Sequence, residues 1–180
     1  QRLGLDVTGV MTKSAAQFIT PLSVAALPNQ KCYDDLFSLT DEAEMGHIRL
    51  ARLADLVLVM PATANLMARA AVGLADDLAT TILLATTAPV LMAPAMNPAM
   101  WTHPATSANL TILQQRGVHM IGPTEGDTAC GEIGSGRMSE PADIAAAAYQ
   151  LAVKRPRLLA GKTAIVTAGP TVEPIDSVRF

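Results

Sequence analysis

An α/β fold, with a parallel sheet covered by helices on both faces, is the architecture this sequence predicts. Three observations point there. Short apolar runs alternate with amphipathic segments from residue 5 to residue 153. Each run is rich in Val, Leu, Ile or Met and bounded by Gly, Pro or a charge, as strands buried on both faces are. The apolar mass is aliphatic, with aromatics at only 3%, which favours close packing of helices on strands over a surface for stacking bases. Alternation of strand and helix produces a parallel sheet.

The first strand is expected at residues 6–11, with Gly9 inside it where a bulky apolar residue would pack better. A helix over 46–54 carries Ile48, Leu50 and Leu53 on an apolar side, with Arg49 and Arg52 elsewhere. It leads into a second strand at 55–60. Helices over 64–72 and 77–85 follow, and Asp76-Asp77 stands where a cap for the latter is needed. The third strand, 89–93, precedes a helix over 104–116 that Gly117 closes, and the fourth strand is 118–121. A long Gly-rich loop spans 123–139. The Ala-rich helix after it, 141–153, opens with Pro141 at a first-turn position and with Glu140 to suit its dipole.

Residues 154–161 read as a Pro-containing linker, and a further strand is expected at 163–167. The chain therefore divides into a domain at 1–153, a linker at 154–161 and the start of a second unit at 162–180. Residues 1–4 read as the tail of a helix, so both ends look like cuts through folded units.

Composition excludes several functions. At 180 residues and 50% hydrophobic, the chain can bury a core without metals or disulfides. A net charge of −3, with one short basic cluster at Lys154-Arg155-Pro156-Arg157, argues against a nucleic-acid partner. Cys32 and Cys130 are far apart and outside any CxxC spacing, so neither a disulfide framework nor a zinc site is expected. The longest apolar stretch, 83–96, is broken by prolines and falls short of the ~20 residues a bilayer demands. No signal-peptide pattern opens the sequence, and the expectation is a cytoplasmic protein without a membrane partner.

Ligands of open parallel sheets sit beyond the carboxyl ends of the strands. Four segments fall there: Thr12-Lys13-Ser14, Pro61-Ala62-Thr63-Ala64-Asn65, Pro94-Ala95-Met96-Asn97 and the loop 123–139. Small residues and hydroxyls at these places let backbone N–H groups approach a flat or anionic ligand. Each segment alone is equally well a turn that caps a helix. In the loop, Cys130 stands beside Gly131, Gly134 and Gly136, a density that suggests a mobile flap or close backbone contact with a ligand. Cys130 itself reads either as a catalytic thiol or as an inert one. His47 reads as a surface or capping residue as readily as a functional one, and His103 and His119 have no pattern around them. Met92, Met96 and Met100 recur every four residues, but Pro94 and Pro98 forbid one helix through them.

Together these segments resemble one family. Pro94-Ala95-Met96-Asn97-Pro98-Ala99-Met100-Trp101 is similar to the PxMNxxMW motif of the homo-oligomeric flavin-containing cysteine decarboxylases. Ala129-Cys130-Gly131, continuing to Gly136-Arg137-Met138, resembles that family's substrate-recognition clamp. His47 falls where the family has its active-site histidine. Met11-Thr12-Lys13-Ser14-Ala15 and Pro61-Ala62-Thr63-Ala64-Asn65-Leu66 resemble its flavin-binding segments. The tail from Thr167-Ala168-Gly169-Pro170-Thr171 to Phe180 is similar to the opening of phosphopantothenate–cysteine ligases, which follow the decarboxylase in a bacterial bifunctional branch.

The resemblance implies a Rossmann-like, flavodoxin-like sheet whose first strand, Gly-rich turn and most of the first helix are missing from this chain. It implies FMN as cofactor, held by Thr12, Ser14, Thr63, Ala64, Asn65, Leu66 and Ala95. It implies 4′-phosphopantothenoylcysteine as substrate, in contact with Asn97, Met100, Ala129, Gly131, Arg137 and Met138. FMN oxidises the cysteine moiety to a thioaldehyde, carbon dioxide leaves, and the enethiolate is reduced. Cys130 is then the proton donor, Asn97 the carboxylate-binding residue and His47 an acid/base or orienting group. The family's trimer places flavin between subunits, so a homotrimer or a larger assembly of trimers is implied, with His47 serving a neighbour's site. Mg²⁺ and a nucleoside triphosphate belong only to the missing ligase domain. Two alternatives stay open: another flavoprotein of this fold, such as a flavin prenyltransferase, or a non-catalytic regulatory subunit. The Cys130 clamp and the ligase-like tail count against the first.

Overall fold

Parallel strands joined through helices make up most of the computed structural model, which describes residues 3–28, 30–35, 46–127 and 131–153. Strand β1 (Gly9–Val10) pairs in parallel with β2 (Cys32–Tyr33), and between them lie a 3₁₀ turn at Ala15–Gln17 and helix α1 (Pro21–Ala26). Helix α2 (Gly46–Leu53) leads to β3 (Val57–Ala62), then α3 (Ala64–Val72), α4 (Leu78–Ala85) and β4 (Val90–Pro94). Helices α5 (Pro98–Trp101) and α6 (Pro104–Gln115) precede β5 (His119–Met120). A hairpin of β6 (Thr124–Asp127) and β7 (Ile133–Arg137) follows, then α7 (Pro141–Ala152). The three-stranded sheet has the order β3-β4-β5, all parallel.

Helix boundaries follow their local signals. Thr63 caps α3 by accepting from the Leu66 N–H at 3.3 Å, and Gly73, at φ +74°, ends it. Asp77 caps α4 in a reciprocal capping box with Thr80. His103 caps α6 through Nδ1, which accepts from the Ala105 N–H, and Pro104 takes the first turn. Gly117, at φ +84°, closes that helix, as expected of it.

Two buried clusters hold the layers together. Ala62, Met67, Ala71, Met92 and Leu113 join α3 and α6 to the β3–β4 pair. Ala51, Leu78 and Ile82 join α2 and α4, with Val10, Tyr33 and Val57 packed on them. The second cluster thus gathers Val10 of β1, Tyr33 of β2 and Val57 of β3 on the same three residues.

Three expectations change. Gly9 is not a weakness in β1: a Cβ there would stand 2.8 Å from Val24 Cγ1, so glycine is what lets α1 lie against the strand. The segment 123–139 is not an irregular loop but carries an antiparallel hairpin, in one register from Glu125↔Ser135 to Asp127↔Ile133 and shifted at Thr124↔Arg137. Glu140 does stand at the N-cap of α7, and its carboxylate accepts from Arg137 Nη2 at 2.6 Å. Elements α1, β2 and α5 were not expected, being two to six residues long and without periodicity. The linker at 154–161 and the strand at 163–167 lie outside the described residues.

Candidate active site

The carboxyl ends of the strands carry the expected segments. After β1, Thr12 Oγ1 accepts from the Ala15 N–H at 3.2 Å and starts the 3₁₀ turn, with Ser14 exposed beside it. Thr12 and Lys13 share a small cleft with Met11, Asp34, Asp35, Asp76, Asp77 and Leu78. Of its four carboxylates, Asp76 and Asp77 are paired with Arg69, and the acidic surroundings suit hydroxyl or amide donors.

At the end of β3, Ala62 is fully buried, and its carbonyl accepts from the Ala95 N–H at 3.1 Å. That bond ties the segment after β4 to the start of α3. The first-turn N–H groups of Ala64 and Asn65 have no acceptor available within the helix. Leu66 spends its own N–H on the Thr63 cap.

An acidic buckle steadies α3 from behind. Arg69 Nη2 donates to Asp76, to Asp77 Oδ2 at 2.9 Å and to Thr80 Oγ1 at 3.2 Å, while its buried Nε has no partner. Burial works to raise the Asp77 carboxyl, but the Thr80 N–H and hydroxyl and the Arg69 guanidinium together hold it below its usual range. Arg116 Nη1 adds a bond to the Ala71 carbonyl at 2.7 Å.

Asn97 is the most constrained of the expected residues. It is the N-cap of α5, and its Oδ1 accepts from the Ala99 N–H at 2.7 Å and the Met100 N–H at 3.4 Å. Capping therefore settles which end of the amide points outward: Nδ2 faces the hairpin and donates to the Glu132 carboxylate. The hairpin is seated on the same segment. The Met96 N–H donates to the Gly136 carbonyl at 3.0 Å, and a Cβ on Gly134 would stand 3.1 Å from Pro98. Gly136 is buried at φ +149° with no room for a side chain against the Met96 carbonyl. Gly134 and Gly136 thus serve close packing on residues 96–98 of the same chain.

Other expected residues are placed less tightly. Met100 is half exposed, whereas Met92 is core and Met96 packs against it. Arg137 is taken up by Glu140, and Met138 is partly buried behind it. Gly131, at φ +80°, opens the β7 side of the hairpin. Ala129 and Cys130 lie outside the described residues. His47 is partly buried in the first turn of α2, on a helix that packs against α4. No described hydrogen bond, ion pair or core cluster links it with Asn97. Cys32 is buried in β2, where burial and then the Asp34 carboxylate push its thiol upward, as befits an inert side chain. Glu132 was not foreseen as a site residue; its only signal was a place two residues past Cys130 in the clamp-like run.

The family described as Flavoprotein matches residues 1–152. This chain belongs to the Flavoprotein family. Among curated relatives, the coenzyme A biosynthesis bifunctional protein CoaBC of Vibrio vulnificus is 48% identical over 177 residues, covering 98% of this chain and 44% of the relative. Its counterpart in Bacillus subtilis is 46% identical over 178 residues, with the same coverage. The chain thus spans less than half the length of these relatives. Among solved structures, a PPC decarboxylase mutant complexed with pantothenoylaminoethenethiol superposes with a TM-score of 0.71 at 35% identity, covering 79% of this chain and 80% of that one. The FMN-dependent cysteine decarboxylase SpaF gives 0.67 at 30%, covering 79% and 77%. These flavoprotein neighbours share the parallel sheet and its helices. Among the described residues, no helix is long and apolar enough to cross a membrane.

Proposed function

We propose that this chain carries out FMN-dependent decarboxylation of 4′-phosphopantothenoylcysteine to 4′-phosphopantetheine, as the decarboxylase part of a bifunctional coenzyme A biosynthesis protein. The observation that carries the reading is the Asn97 amide, locked by its helix cap so that Nδ2 presents to a carboxylate. A ligand carboxylate is the group that loses carbon dioxide, and a fixed neutral donor orients it without stabilising the anion so much that it cannot leave. The relatives named CoaBC and the PPC decarboxylase fold support the same substrate.

The residues present fit a flavin. Buried Ala62 and Ala93 keep the strand ends flat, and the first-turn N–H groups of Ala64 and Asn65 have no acceptor within the helix. Thr12 lines the acidic cleft, where it would meet ligand hydroxyls, and Ser14 lies exposed beside it. Thr63, Leu66 and Ala95 would line the ring. When bound, FMN supplies the two-electron oxidation of the cysteine moiety and the later return of those electrons. Asn97 holds the carboxylate, Met100, Gly131 and Met138 line the substrate side, and Cys130 Sγ gives a proton to the decarboxylated carbon. Arg137, already bound by Glu140, acts by holding the clamp. His47, unlinked to Asn97 within one chain, fits a role in a neighbouring subunit's site, which calls for a trimer or an assembly of trimers. Residues 162–180 are read as the opening of the ligase.

The test is mass-spectrometric detection of phosphopantetheine from phosphopantothenoylcysteine, with the purified full-length parent loaded with FMN. Wild type is expected to form it, and Cys130→Ser to stall at an oxidised, decarboxylated species. No product from FMN-loaded wild type would overturn the reading. A regulatory subunit would show neither product nor any effect of Cys130→Ser.

A further inference from the structure

We infer that Glu132 is a substrate surrogate, a positioning residue whose carboxylate occupies the Asn97 amide until the substrate carboxylate displaces it; this rests on the decarboxylase reading above. Asn97 has one face committed. Its Oδ1 is held by two backbone N–H groups of α5, so Nδ2 is the end turned toward the hairpin. The group found against it is a carboxylate, the same chemistry that the substrate brings. Glu132 comes from 35 positions away, and the hairpin carrying it is seated by the Gly136–Met96 backbone bond and the Gly134–Pro98 contact.

Nδ2 carries two N–H groups, but two carboxylates drawn to the same small amide repel one another. Substrate binding therefore expels Glu132, and because Glu132 is an exposed residue, water resolvates it on release. Once carbon dioxide has left, the product has no carboxylate to hold the site. Glu132 then retakes Nδ2, and the ligand loses its grip at that point. Asn97 is thus kept satisfied and in one orientation through the cycle. The residue makes the site weaker for substrate and leaves it indifferent to product.

The experiment compares Glu132→Ala and Glu132→Gln with wild type in the FMN-loaded full-length parent. It measures KM for 4′-phosphopantothenoylcysteine and the inhibition constant of 4′-phosphopantetheine. Removing the competitor is expected to lower the substrate KM by roughly three- to tenfold, the worth of one exposed hydrogen bond. The product constant is expected to stay where it is. Glu132→Gln should fall between, since its amide oxygen still accepts from Asn97 but carries no charge. An unchanged or raised substrate KM in variants that turn over overturns the inference. Substrate and product constants rising together also overturn it, because that outcome marks a residue that merely braces the hairpin. Failure of the wild type to turn over instead overturns the decarboxylase reading itself.

Discussion

Replacing Gly136 with alanine should undock the hairpin from the segment that carries Asn97. The backbone at Gly136 has φ +149°, a region L-residues rarely adopt, and a Cβ there would lie under 3.0 Å from the Met96 carbonyl oxygen and 3.4 Å from the Asn97 carbonyl carbon. The obstacle is backbone rather than the end of a flexible side chain, so relief requires the strand to move. Such conformational strain costs about 1–3 kcal/mol. Moving the strand also breaks the 3.0 Å bond from the Met96 N–H to the Gly136 carbonyl, a loss of about 0.5–1.5 kcal/mol. Together these amount to about 2–4 kcal/mol, which multiplies the population of the opened hairpin by roughly 30 to 1,000. Hydrogen–deuterium exchange at the Met96 amide reads that population directly. Gly134→Ala is the control: its backbone is ordinary and its Cβ would press only on the Pro98 ring at 3.1 Å, so a much smaller change is expected. The global melting temperature should move little in either variant, because most of the hairpin is exposed. Wild-type protection of the Met96 amide in Gly136→Ala would refute the reasoning, since it would show that close packing is not what demands glycine.

Two further perturbations bear on the frame behind the site. Asp77→Ala removes the α4 cap and should cost about 1 kcal/mol at pH 7, measured as a shift in the urea midpoint. Because the folded Asp77 carboxyl lies below its usual range, its contribution is complete above about pH 4 and is lost as the pH falls through the lowered folded value. The difference between wild type and variant should therefore shrink in strong acid, and a difference that grows there would contradict the assignment. Met67→Ala empties a fully buried position under β3 and β4 and should cost about 2–5 kcal/mol, read from the same denaturation curves.

Much of the frame was legible in the residues because it depends on short-range physics. The run after Thr63, the Asp77–Thr80 pair, Pro104 after His103 and Gly117 at the end of α6 are signals that act within about four positions. All four parallel strands expected from apolar runs are present, though shorter or shifted by one to three residues. The short pair β1–β2 shows where this stops. Cys32-Tyr33 has no apolar run to announce it, and becomes a strand only because Val10 and Tyr33 find the cluster of Ala51, Leu78 and Ile82. Gly9 was misread for the same reason, since its need for space is set by Val24 on α1.

The candidate site divides along the same line. By itself, the sequence determined the family-like motifs, the helix start beside Thr63, and the α/β alternation, because residue type and spacing encode them. Only the tertiary structure decided that the Gly-rich run is a hairpin docked on residues 96–98, and that Glu132 meets the Asn97 amide across 35 positions. Each of those depends on which surfaces meet after folding, and nothing within a few residues of any of them carries that information.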